Sequence, residues 1–225
     1  MQAWGHEYAV VPYISRRSKE APEDYLYRFT AAVDGTVLTY EPSTPKDAPL
    51  TLAAGQSVMF TTQQPFVVTS QDIEHPFAVF SHMTSADFVD TQGQQGDPEF
   101  VPVIPSEQYL GRYVFFVDVT YPNSQLVVVR SRQNGKELAP VTLECAGELE
   151  EWTPLGTSYE YSRIWLTKAR KPQAVGSGTC GAGRHVIESA GPFAVTVWGT
   201  AHVSSYGYPG GGALRTLNSI EPIVK

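Results

Sequence analysis

The sequence predicts an all-β protein of two tandem β-sandwich units, Ig-like or jelly-roll-like, arising from an internal duplication. The tetrapeptide Pro-Phe-Ala-Val stands at 76–79 and again at 192–195, and each copy closes a train of segments in the same order. The runs between are short, β-branched or aromatic, and bounded by turn residues, as in a sandwich. No segment holds a helical period for more than about two turns, so 85–89 and 106–110 read as single turns.

The first train begins at His6-Glu7-Tyr8, turns at Asp34-Gly35, passes Ala54-Gly55-Gln56 and reaches Phe60 before the first tetrapeptide. The second begins at Gly111-Arg112-Tyr113, turns at Asn134-Gly135, passes Ala146-Gly147-Glu148 and reaches Trp152. Both Asx-Gly dipeptides tolerate positive φ and mark hairpins. Strands are expected at 8–13, 25–32, 36–40, 57–62, 66–70 and 77–82, then at 113–119, 125–131, 141–145, 163–168, 185–188 and 193–199. Val127-Val128-Val129 is too continuous to face water and belongs between sheets. The expected organisation is a first unit at 1–90, a linker at 91–105, a second unit at 106–212 and a C-terminal strand or tail at 213–225. The second half of the linker alternates Pro with apolar residues and should run extended along a sheet edge.

A net charge of −7 and a pI near 5.2 argue against nucleic acid as a partner, because an acidic surface repels phosphate. Arg16, Arg17 and Lys19, and more loosely Lys168, Arg170 and Lys171, read as solvated loop charge. No apolar run reaches the length of a membrane span. Met1 runs straight into Gln2-Ala3-Trp4 without a signal-peptide profile, which reads as a segment cut from a longer protein with neighbouring domains.

Cys145 and Cys180 read as a disulfide, and hence as a sign of an oxidising compartment. Such a bridge closes a loop of about 36 residues and adds roughly 3–4 kcal/mol. The other reading is two unpaired thiols in the cytosol. For nucleophilic catalysis there is no Gly-x-Ser-x-Gly elbow, and His6, His75, His82, His185 and His202 are scattered. Glu148, Glu150 and Glu151 cluster near a turn and point to water rather than across a glycosidase cleft. The expectation is therefore no enzyme and no catalytic residue. Asp87, Asp90, Asp97 and Glu99 are weak calcium candidates, since their spacing misses the alternate-residue EF-hand pattern; no other cofactor is expected. The Trp residues 4, 152, 165 and 198 read as packing. Aromatics amid Gly, Ser and Pro from Val203 to Gly212 can form a binding loop, with Tyr206, Tyr208 and Pro209 as contact residues. Alternatively the two tyrosines fold back and plug the end of a sandwich or the domain interface.

Several of these segments resemble the IgGFc-binding protein N-terminal domain family: Gly5 to Pro12, the strand from Tyr25 through Arg28 to Asp34-Gly35-Thr36, Ala54-Gly55-Gln56, Gly96-Asp97-Pro98-Glu99-Phe100 and, as the best single marker, Ser205-Tyr206-Gly207-Tyr208-Pro209-Gly210-Gly211. The resemblance covers about residues 5 to 212. It implies extracellular, β-rich, tandem modules in large secreted or surface proteins. Antibody-Fc binding itself is not carried over, because the Cys-rich von Willebrand D repeats of the mucus protein that bears the name have no counterpart here. Asn123, Asn134 and Asn218 all lack Ser or Thr two positions on, which agrees with a bacterial member. The resulting expectation is a non-enzymatic adhesion, scaffold or binding module, secreted or on a cell surface, with a protein or glycan ligand. A carbohydrate-binding module, calcium-assisted, is the alternative, and a hydrolase ranks behind both.

Overall fold

The structure is a computed structural model that describes residues 2–18, 20–89, 94–132 and 137–221. Its first half contains β1 (Glu7–Val10), β2 (Tyr25–Ala31), β3 (Thr36–Glu41), β4 (Thr51–Leu52), β5 (Ser57–Thr62), β6 (Phe66–Ser70) and β7 (Phe77–Met83). A one-turn helix α1 (Ala86–Val89) and strand β8 (Glu99–Pro102) follow. The second half contains β9 (Leu110–Val117), β10 (Asn123–Ser131), β11 (Val141–Leu143), β12 (Gly147–Glu148), β13 (Thr153–Leu155) and β14 (Tyr159–Lys168). It ends with β15 (Lys171–Val175), β16 (Gly178–Cys180), β17 (Gly183–Ala201) and β18 (Ser204–Pro209). The hairpin dipeptide Asn134-Gly135 lies outside the described residues.

Two four-stranded sheets make the first half, in the orders β1-β6-β3-β4 and β5-β2-β7-β8. In β2 inward and outward residues alternate strictly, so one face of its sheet is core and the other is surface. The second half is one ten-stranded sheet organised around the 19-residue β17, and it wraps until it is nearly closed. The leading part of β17 pairs with β9 and β11, and β11 pairs with β12. The trailing part pairs with β10 and β18, and β10 pairs with β14. The orders β9-β17-β11-β12 and β14-β10-β17-β18 thus match those of the first half, with β6 and β7 merged into β17. Two separate strands are expected at 185–188 and 193–199; the structure instead makes one. Only Ala190 and Gly191 stand where the first half has the loop 71–75, too few residues to leave the sheet. A Cβ at Gly191 would lie 2.8 Å from that of Ala139, so the crossing requires glycine.

The same tyrosine contact closes both halves. Tyr8 Oη donates to the Phe77 carbonyl at 2.5 Å and accepts from the Gly5 amide at 3.1 Å. Tyr113 Oη donates to the Phe193 carbonyl at 2.5 Å and accepts from the Leu110 amide at 2.9 Å. Each tyrosine ring lies 4.9 Å from the phenylalanine of its tetrapeptide. Burial, opposed by the Leu110 bond, pushes the Tyr113 hydroxyl up to about 12, and burial raises Tyr8 further.

The halves share a core. Val128 packs inside the second half, while Val127 and Val129 join the cluster of Tyr8, Tyr13 and Phe77 from the first. The Trp198 ring, 2% exposed, lies 4.9 Å from that of Tyr13. The second half of the expected linker forms β8, which pairs with β7 through residues 99–102. Among residues 213–221 there is no strand; Ala213 and Arg215 bond to Gln108, and Leu217 to Gln2.

One expectation is overturned here. Arg16 is not solvated loop charge: its side chain is 2% exposed and that of Glu23 is fully buried. Nη2 meets Glu23 Oε2 at 2.5 Å, and Nη1 donates to the carbonyls of Thr84 and Gln95. Tyr13 Oη donates to the same carboxylate. A buried ion pair persists only when its remaining donors and acceptors are also satisfied, and this one pins the 11–24 loop to the segment after β7. Arg17 is exposed, and Lys19 lies outside the described residues.

Candidate binding surfaces

The Ser-Tyr-Gly-Tyr-Pro segment is not a free loop: it forms β18, an edge strand on β17. Its alternation sets two environments. Gly207 faces the first half, where a Cβ would lie 2.6 Å from Val101 Cγ2 and 2.7 Å from Trp198 Cε3. Tyr206 and Tyr208 face the other way, partly buried and stacked 6.2 Å apart, into the space between β18 and β9. Gly199 makes room for the Tyr206 ring, which a Cβ there would overlap at 1.9 Å. Tyr208 Oη accepts from the Phe116 amide at 2.9 Å and donates to the Phe116 carbonyl. Tyr206 Oη accepts from the Asp118 amide at 3.3 Å and donates to Ser124 Oγ at 3.2 Å. The hydroxyls therefore do for β9 what a neighbouring strand would do. Burial raises both hydroxyls from their ordinary values. Beside them the outward side chains of β9, Val114 and Phe116, are each 53% exposed, and the sequence reading missed both. The run Tyr113-Val114-Phe115-Phe116-Val117 is apolar throughout, so nothing in it marks which residues face outward; only the burial of every second one, Tyr113, Phe115 and Val117, does.

A second exposed surface is the outer face of β5-β2-β7-β8. The register places Arg28 beside Phe80 and Met59, and Leu26 beside His82. Phe80 lies opposite Pro102, and His82 opposite Phe100. The Arg28 guanidinium sits over the rings of Phe80 and Phe100 at 4.9 and 5.8 Å. His82 stacks on Phe100, which is 55% exposed. Burial, helped by Arg28, holds the imidazole below its ordinary pKa.

The remaining candidates stay apart. Asp87 lies on α1 and Glu99 on β8, while the Asp97 backbone bonds to Ser205 Oγ; Asp90 lies outside the described residues. Among the described residues no three His, Cys, Asp or Glu side chains come together in a way that could hold a metal ion. His6 Nδ1 meets Glu107 at 2.5 Å, but Ser106 Oγ bonds to Glu7 and Glu107 rather than to the imidazole, which breaks the order of a nucleophile–base–acid relay. The Glu107 bond, against burial, raises the His6 pKa. Burial would raise Glu107, yet the bonds from His6 outweigh it and hold the carboxyl low. Cys145 and Cys180 are joined in a disulfide that ties the β15–β16 hairpin to the β11–β12 turn. Gly178 is required there, since a Cβ would lie 2.1 Å from the Cys145 carbonyl oxygen.

The family model described as IgGFc binding protein matches residues 1–199. The chain belongs to the IgGFc binding protein family. The match ends before Ser205–Gly211, so membership rests on the strands through β17 and not on the Tyr-Gly-Tyr-Pro motif. It implies an extracellular binding module with a protein ligand, of a family not known as enzymatic. No curated protein matches the chain. Two similar solved structures are an anti-sigma factor domain-containing protein at 13% identity, covering 91% of this chain and 81% of that one with a TM-score of 0.22, and an anti-sigma factor domain-containing protein from Clostridium clariflavum at 9%, with the same coverage and a TM-score of 0.24. Likeness at that level carries no argument about fold or function. No helix among the described residues is long and apolar enough to cross a membrane.

Proposed function

We propose that the chain is a non-enzymatic adhesion or scaffold module of a longer secreted or surface protein, built from two copies of one sandwich, and that it takes a protein ligand along the seam between β9 and β18. The shared strand order and the matched tyrosine contacts support the duplication. The observation that carries the contact face is the placing of exposed Val114 and Phe116 beside Tyr206, Tyr208 and Pro209. Tyrosines already fixed by their hydroxyls lose little side-chain entropy on binding, and the flanking apolar pair supplies area to remove from water.

Arrays of purified extracellular proteins and of glycans, probed with labelled wild type and Phe116→Asp, test this reading. Signal on protein spots that disappears with Phe116→Asp is expected. Protein binding indifferent to the substitution would overturn the seam as contact face. Glycan signal abolished by a chelator would replace the reading with a calcium-assisted carbohydrate-binding module.

A further inference from the structure

The contact between the two halves has a direction. The first half offers its β1 and β8 side, through Ala9, Val11, Val101 and Val103. The second half receives it on the outer face of β14-β10-β17-β18, through Val127, Val129, Ala194, Thr196 and Trp198. These residues line one cavity of about 30 Å³ at the junction. By the matched registers, each side of this contact has a counterpart elsewhere in the chain. Val114 and Phe116 follow Tyr113 as Ala9 and Val11 follow Tyr8, so they are the counterpart of the offering strand. Phe80 and His82 follow the first tetrapeptide as Thr196 and Trp198 follow the second, and Arg28 takes the place of Val127. They are the counterpart of the receiving face.

Inside the chain both surfaces of the contact are covered. Their counterparts are apolar and uncovered by the other half: Val114 and Phe116 are exposed on one half, and on the other Phe100 is exposed with Phe80 and Leu26 half-buried beside it. Charge agrees as well. Asp118 follows Tyr113 by five residues, as Tyr13 follows Tyr8, and Tyr13 packs on Trp198. In the repeated contact Asp118 would therefore meet His82, with Arg28 one register step away on the same face. The His82 Nε2 is buried and has no hydrogen-bond partner among the described residues.

We propose that copies of this chain associate head to tail, the Val114–Phe116 strip of one seating on the Arg28–Phe80–His82 face of the next and repeating the contact between its own halves. This rests on the seam as contact face and names a second copy as its partner. Because the two surfaces differ, the contact is heterologous and does not close on itself as a two-fold dimer does; it builds a ring or an open row of more than two copies.

Analytical ultracentrifugation tests it with two exposed substitutions, Phe116→Asp and Phe100→Asp. Wild type should grow in mass with concentration beyond a dimer, and each variant should associate about tenfold more weakly, since each puts a charge into an apolar contact. An equal mixture of the two variants retains one good strip and one good face, and should form a heterodimer and nothing larger. Arg28→Glu and Asp118→Arg should likewise fail singly and pair when mixed. Wild type monomeric throughout, with a protein ligand still sensitive to Phe116→Asp, would overturn self-association and leave the seam standing. Association and ligand binding both indifferent to Phe116→Asp would overturn the seam itself. A mixture that recovers no heterodimer would show that the contact is not head to tail.

Discussion

In the first half the space between β1 and β8 is filled by the other half, with Trp198 and Val127 as the inserted side chains; in the second half the space between β9 and β18 is filled by Tyr206 and Tyr208 of β18 itself. The strand order is shared, and so is the tyrosine bonded to the tetrapeptide. The difference lies in what satisfies the edges. One half borrows its closure from a neighbour and the other carries its own, reinforced by the disulfide between the β11–β12 turn and β16. Two halves with the same strand order can thus be a dependent or a self-closed part according to a few residues on the last strand.

Removing the borrowed closure should have the largest effect. Trp198→Ala is expected to cost about 3–5 kcal/mol, as for other buried tryptophans. Urea unfolding should remain a single transition in which both halves are lost together; two separate transitions would break the shared-core description. Opening the disulfide with Cys145→Ala and Cys180→Ala should cost roughly 3–4 kcal/mol by loop entropy. Hydrogen exchange should then rise first in β15, β16 and the β11–β12 turn, while β2 and β7 keep their protection.

Tyr8→Phe and Tyr113→Phe sharpen the equivalence of the halves. Each leaves one carbonyl and one amide without its hydroxyl partner, at about 1–3 kcal/mol. Similar losses in chemical unfolding are expected, and a large loss in only one would show that the two contacts match in geometry but not in energy.

The smallest effect is the pH dependence at the junction, where His6 bonds to Glu107. A folded-state pKa raised above the usual value of about 6.5 gives stability that is complete below that pH and is lost as pH rises through the folded value. His82, whose pKa is lowered, acts in the opposite sense, so the quantity to read is the difference between wild type and His6→Gln. That difference should shrink between pH 6 and pH 8 in thermal unfolding. A constant difference would remove His6 as the titrating group.

The long strands were legible because β-branched and aromatic runs such as 25–31, 125–131 and 193–199 carry a period or a buried continuity that only a sheet can use. The short strands β4, β12, β13, β15 and β16 were not, since two to five residues, in all but β4 including Gly, Pro or Lys, are too few to carry such a signal. β18 reads as a loop by composition, although its alternating tyrosines held the clue. The buried Arg16–Glu23 pair was invisible, because loop charge is normally solvated and only the packing of residues 84 and 95 above it removes the water.

By itself, then, the sequence determined an all-β chain with two trains of segments in matching order, each closed by Pro-Phe-Ala-Val, and offered one cysteine pair able to join. Local alternation and turn chemistry suffice for that much. Only the tertiary structure decided that one half completes the other while the second closes on its own tyrosines. That outcome depends on which face meets which edge, a matter of contacts between residues far apart in the chain that no local pattern encodes.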